Sequence, residues 1–304
     1  MKYETPDVSV ELLNQSFCDK VFGGQLKEAM ENSSMYIRAK LYEDGILRRL
    51  FDNRVVTADE LDPEMDTDNP SIICEIEPGE SKATFVPFKG TGDRRYFTGK
   101  RFRVPFGKIE AERISKSKFE LMTIRMPITE WLKENQVKMI QEEEDSKFVE
   151  SISEIIDANA AAQSETVTIG ADTFKDAFTA GLKGLTRMRQ PLGKVLMHKN
   201  TYLDSLKLKT EDIGYNPQEE RFRKGVEGED SFLGIPVVTT IKDNLVKENE
   251  LYFFSSQEYF LKFFLLQDAT LFMEARADMI HFHTYESAGV GIGNTKGVFK
   301  VTLA

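Results

Sequence analysis

Three histidines, a run of four carboxylates and a triplet of alternating glycines are the residues of this 304-residue chain whose types and spacing could do chemistry. His281 and His283 stand two apart in β-like sequence, so both project from one strand face and could ligate a metal. A third ligand of suitable type does not stand beside them, and ordinary strand histidines are the expectation. His198 falls alone in a strand-to-helix turn, and no nucleophile motif accompanies it, which leaves acid–base or triad catalysis little to work with. Glu142, Glu143, Glu144 and Asp145 follow one another in helical sequence. Consecutive helix positions point around the cylinder rather than converging, so a solvated face is expected there, not a metal site. Gly289, Gly291 and Gly293 lack the G-x-G-x-x-G spacing of a dinucleotide site and read as a turn between two strands. Cys18 and Cys74 form neither a metal-ligand spacing nor a disulfide framework. The expectation is a protein with no catalytic, cofactor-binding or metal-binding residues.

Charge is the stronger signal. Residues 82–118 hold eleven Lys and Arg against Asp93, Glu110 and Glu112, a net of +8. Residues 1–81 carry −10 and residues 119–162 carry −6. Charge segregated this sharply lets one element of a copy bind the opposite element of another. The candidate contacts are Lys89, Arg94, Arg95, Lys100, Arg101 and Arg103 on the basic side, and Glu142, Glu143, Glu144 and Asp145 on the acidic side. Tyr96, Phe97, Phe102 and Phe106 interleave with the cations, so nucleic-acid binding is a rival reading. The acidic neighbours and an overall charge of −10 weigh against it. A solvated strand face within an ordinary sheet is the plainer alternative.

The elements that must position these residues follow from periodicity. A 40% hydrophobic fraction with 11% aromatics supports a packed core. Residues 9–51 read as helical, and 57–69 as an acidic, proline-interrupted connector. Lys82–Phe88 and Lys100–Phe106 alternate with period two around Lys89-Gly-Thr-Gly-Asp93, which predicts a long two-stranded arm. An isolated hairpin is only marginally stable in water, so the arm must lie on another surface. Residues 128–160 form the longest predicted helix, with an apolar stripe through Ile128, Trp131, Leu132, Val137, Ile140, Phe148, Ile152, Ile155 and Ile156. Mixed α/β sequence comes next, with strands at 194–197, 235–240, 250–254, 260–265, 279–286 and 298–303, and a polar loop at 209–230. Met1–Glu11 lacks the apolar core of a signal peptide, and the apolar run Tyr259–Leu266 is too short to span a bilayer. These features read as a soluble protein made in the cytoplasm, without a membrane partner.

This succession resembles the major capsid protein of tailed bacteriophages, the Hong Kong 97 fold, over roughly residues 70–303. Ala83–Phe88 and Phe102–Ile109 look like the family's E-loop. Lys194–Leu206 is similar to the strand-then-helix of its axial domain, and Phe232–Thr240 to its return strand. The resemblance implies an α+β subunit with an N-terminal arm (1–69), an E-loop hairpin (70–118), a peripheral domain with a spine helix (119–163), an axial domain (164–267) and peripheral return strands (268–304). It implies no enzyme activity. It implies self-assembly into hexamers and pentamers of an icosahedral shell enclosing double-stranded DNA without sequence-specific binding. A separate scaffolding protein, a portal and a cement or decoration protein are the further partners, and the virion, assembled in the host cytoplasm, is the location. In such shells the E-loop lies on the neighbour's spine helix, and axial loops meet at the capsomer centre. Here that loop would present Glu219, Glu220, Arg221, Arg223 and Lys224. An encapsulin-like protein compartment and a phage tail protein are the alternatives.

Overall fold

A 31-residue helix and two sheets organise the chain in a computed structural model that describes residues 45–63, 67–77, 83–92, 94, 96, 99–123, 128–168, 173–204, 231, 232 and 234–304. Helix α1 (Ile46–Leu50) is the described part of the helical sequence expected over 9–51. A short helix α2 (Lys118–Thr123) precedes the long helix α3 (Ile128–Ala158), which at 1.5 Å per residue is a rod of about 45 Å. Of the predicted stripe, Leu132, Val137, Ile140, Phe148, Ile152 and Ile156 of α3 are buried and Ile155 is half-buried.

Under α3 lies a five-stranded sheet. Its spine is the antiparallel pair β12 (Leu261–Arg276) and β13 (Met279–Ile292), flanked by β1 (Asn53–Val55) on one side. On the other side β5 (Gly107–Glu110) and β6 (Ile114–Ser117) pair with successive stretches of β13. The β12–β13 connection is a two-residue turn in which Ala277 takes φ 53°.

A six-stranded sheet runs in the order β7 (Ser164–Val167), β14 (Val298–Leu303), β11 (Glu250–Ser255), β8 (Leu192–His198), β10 (Ile235–Thr240), β9 (Ser231–Phe232). The short helix α4 (Ala160–Gln163) leads into β7, and α6 (Lys199–Asp204) leads out of β8. Strand β11 shows how the two faces of the sheet are filled. Leu251 and Phe253 pack beneath helix α5 (Thr173–Arg187) with Phe178 and Val195. Tyr252 and Phe254 face the other way, into a core with Leu47, Phe51, Phe148 and Phe263 that the two sheets share. Alternation in the strand thus joins two layers.

Two strands pair with elements outside their expected segment of the chain. The last strand, grouped with the return strands of residues 268–304, instead pairs with β7 and β11 in the six-stranded sheet. Asn53–Val55, assigned to the N-terminal arm, is an edge strand of the five-stranded sheet. Strand neighbours depend on long-range contacts that local period does not carry.

Candidate inter-subunit surface

The basic arm is anchored at its root and bare at its tip. Strand β4 (Lys100–Pro105) pairs antiparallel with β3 (Pro70–Ile76), opposing Val104 to Ile72 and Phe102 to Cys74, with β2 (Asp62–Pro63) on the far edge. The partner predicted for β4 was 82–88, but described residues 83–92 contain no strand. Ile72, Cys74 and Val104 form a small core with Val56 and Phe264, against which Phe102 and Phe106 pack.

The alternating glycines make this seat. They are not a turn: Gly289 and Gly291 lie inside β13. A β-carbon at Gly291 would fall 2.5 Å from Val104 Cγ2, and one at Gly289 would fall 3.0 Å from the Pro105 carbonyl. The bare backbone lets β4 lie directly on the strand, one of the uses of glycine in a sheet interior.

Beyond the root the described tip residues are exposed. Phe85 and Phe88 have relative accessibilities of 101% and 104%, and Tyr96 is 88% exposed. The Gly90 N–H donates to the Pro87 carbonyl at 2.7 Å, turning the chain at the tip. Lys89, Arg94, Lys100 and Arg103 make no ion pair with a described residue, and Arg95 lies outside the described residues. Arg101 is different: its guanidinium bonds Glu75 of the adjacent strand, at 2.8 Å from Nη2.

On α3, Glu142 and Glu143 are exposed as expected, and Glu142 accepts a hydrogen bond from Asn244 at 3.2 Å. Glu144 and Asp145 correct the expectation: both are buried. Glu144 falls four residues after Ile140 and four before Phe148, on the buried stripe itself. That spacing was visible in the sequence, but four consecutive acids invited reading them as one surface. Asp145 accepts the backbone N–H groups of Ile46 and Leu47 at 3.2 and 3.0 Å, and Lys242 Nζ stands 3.4 Å away. Glu144 lies 3.3 Å from Nε of Arg48, whose Nη2 also reaches Glu286 of β13 and whose Nη1 is 3.5 Å from Asp268. Burial pushes the Glu144 carboxyl up to about 7 and, with the charge of Glu144 added, Glu286 up to about 8. Burial also raises Asp145, against the opposing pull of the two backbone N–H groups. No sequence signal singled out Arg48 or Glu286.

A groove of about 650 Å³ opens between α3 and the β5–β13 side of the sheet. Leu47, Ile109, Phe148 and Val290 line it, with Met139 and Glu143 among its α3 residues. Its lining is mainly apolar.

The histidines are accounted for by local contacts. His281 Nδ1 is 2.6 Å from Ser115 Oγ. His283 stacks on Phe272, ring centroids 5.3 Å apart, and burial, with Arg113 next, lowers its pKa. His198, Asp243 and Glu248 bring three ligand-type atoms within 4.8 Å of one another. His198 Nδ1, however, accepts the Asn200 N–H at 3.2 Å, so the neutral ring carries its proton on Nε2. Asp243 Oδ1 is 2.8 Å from that nitrogen but makes no aligned hydrogen bond with it. A metal-bound imidazole needs the reverse tautomer, its second nitrogen donating. Glu219, Glu220, Arg221, Arg223 and Lys224 lie outside the described residues.

No family model matches the chain, and no curated protein matches it at a significant level. Solved structures do. The virus-like particle from Pyrococcus furiosus aligns over 90% of this chain and 97% of its own, at 16% identity and TM-score 0.52. A structure of Mycobacterium phage Adephagia aligns over 86% and 90%, at 12% identity and TM-score 0.57. The capsid of an empty GTA particle aligns over 86% and 90%, at 12% identity and TM-score 0.54. The chain has the Hong Kong 97 capsid fold. At such identities the likeness is one of fold.

Proposed function

We propose that the protein is the major subunit of a viral shell, its copies closing into hexamers and pentamers around double-stranded DNA. The observation that carries this reading is the arm. Its root is clamped by Val104 on Gly291, while its tip holds Phe85 and Phe88 wholly in water. Burying one such ring is worth about 1.5–3 kcal/mol, so the tip has a strong drive toward a second copy. In the proposed shell the tip lies on the neighbour's α3, its aromatics toward the apolar groove and Lys89 and Arg94 toward Glu142 and Glu143. Each exposed ion pair contributes only about 0–1 kcal/mol, which keeps single contacts reversible during assembly. The net charge of −10 suits a container whose wall does not hold the genome. A scaffolding protein and a portal belong to the same reading.

A protein compartment without a genome is the second reading, favoured by the 97% coverage of the Pyrococcus furiosus particle chain. Expressing the full chain, with and without its genomic neighbours, tests both by negative-stain electron microscopy. Closed shells or capsomers are expected, and a protein that stays monomeric in every preparation overturns shell formation. Nucleic acid protected from nuclease in native particles separates a virion from a compartment.

A further inference from the structure

The Arg48 cluster is a charge network with more carboxylates than cations. Glu144 and Asp145 come from α3, Asp268 from β12 and Glu286 from β13; the facing cations are Arg48 of α1 and Lys242 after β10. Arg48, Glu144, Asp145 and Glu286 are almost fully buried. Among the almost fully buried groups three carboxylates, Glu144, Asp145 and Glu286, stand with one guanidinium, and Lys242 reaches Asp145 from a partly exposed position. Ionising all three there is costly enough that a carboxyl keeps its proton instead. The geometry indicates where. Glu286 Oε1 takes the Arg48 guanidinium, while its Oε2 is buried without a hydrogen-bond partner. An oxygen buried without a donor leaves the charged form of Glu286 under-solvated on that side, which favours the neutral acid.

The segment held by this cluster is a junction of the fold. Besides the Asp145 contacts, the Arg49 carbonyl accepts from Lys194 of β8 at 2.8 Å. Arg49 Nη1 donates to the Thr239 carbonyl of β10 at 3.4 Å. Asp52 exchanges two hydrogen bonds with Gln257 of α7 (Gln257–Phe260), at 2.8 and 2.6 Å. Phe51 packs edge-on to Phe148 and Phe254.

We propose that the Arg48 cluster is a proton-dependent clasp: a proton held on Glu144 or Glu286 fastens residues 46–52 to α3 and β13, and its loss in mildly alkaline solution loosens that segment. The direction follows from linkage. Both glutamates hold protons in the fold more tightly than the ordinary carboxyl near 4.5, to about 7 and about 8. Below pH 4.5 folded and unfolded chains are both protonated there, and these groups add no pH dependence. Between about 4.5 and 8 the fold binds the extra proton, so stability falls as pH rises, and the loss is complete above 8. This property belongs to the single subunit and stands apart from the proposed shell.

Amide hydrogen exchange on the full-length protein tests it, read at Ile46 and Leu47 and corrected for the base-catalysed intrinsic rate. From pH 6 to 9 wild-type protection at these amides is expected to fall roughly tenfold or more. In Glu286→Gln, which keeps the shape but cannot ionise, the fall is expected to be largely abolished, and in Glu144→Gln reduced. Flat wild-type protection, or variants that lose protection in step with wild type, overturns the clasp. Should neither variant fold, infrared difference spectra of the wild type decide. A protonated-carboxyl band present at neutral pH and gone by pH 9 supports the clasp, and its absence at neutral pH overturns it.

Discussion

Val104 sits over Gly291 so closely that a β-carbon on the glycine would lie 2.5 Å from Val104 Cγ2. The contact fixes where the arm leaves the body and so where its tip can reach. Gly291→Ala is expected to destabilise the subunit by about 1–3 kcal/mol through overpacking and to tilt β4 off the sheet. Gly293→Ala, whose nearest foreign atom would be 3.5 Å away, is the control and is expected to be tolerated. Denaturant unfolding of both variants, with particle yield alongside, checks the pair.

The arm tip contributes nothing to the isolated fold. A Phe85→Ser, Phe88→Ser double variant is expected to unfold within about 0.5 kcal/mol of wild type, since both rings are already in water. Assembly should nevertheless be lost. Calorimetry on unassembled subunits and electron microscopy of the same preparation would show the two effects apart; normal particles would remove the tip from the interface.

Among the basic residues, those without a described ion-pair partner differ in consequence from Arg101. Lys89→Glu with Arg94→Glu is expected to slow assembly without changing subunit stability, and wild-type assembly should weaken as salt screens these charges. Arg101→Glu would set two carboxylates side by side with Glu75 and disturb the arm itself. Light scattering at two ionic strengths distinguishes them.

Asp145 acts as the acceptor for the start of α1. Asp145→Ala strands the buried N–H groups of Ile46 and Leu47. The expected cost is about 1–3 kcal/mol for each stranded group, measurable by urea unfolding. An Asp145→Asn variant keeps one acceptor oxygen and should recover part of that loss.

Much of this was legible in one dimension. Leu132 to Ile156 repeat at helical spacing over a length that only a single rod satisfies, and the sign change at residue 118 marks the arm as separate from the acidic helical stretch beyond it. Period-two texture in 100–106 identified a strand, because alternation survives whatever that strand pairs with. The identity of its partner did not survive: β4 pairs with 70–76, a stretch that alternation within 100–106 does not single out. The four acids at 142–145 show the same division. Their helical setting was local and readable, but two of them turn inward, Glu144 to Arg48 and Asp145 to the backbone N–H groups of Ile46 and Leu47.

By itself the sequence determined the long helix, the cationic projecting segment and the general order of strands, since these depend on residues a few positions apart. Only the tertiary structure decided that the glycines form a track under Val104, that β14 enters the six-stranded sheet, and that Glu144 and Glu286 meet across Arg48. The physical reason is separation. Arg48 and Glu286 stand 238 positions apart, and whether a carboxylate there is solvated or buried depends on which surfaces close around it.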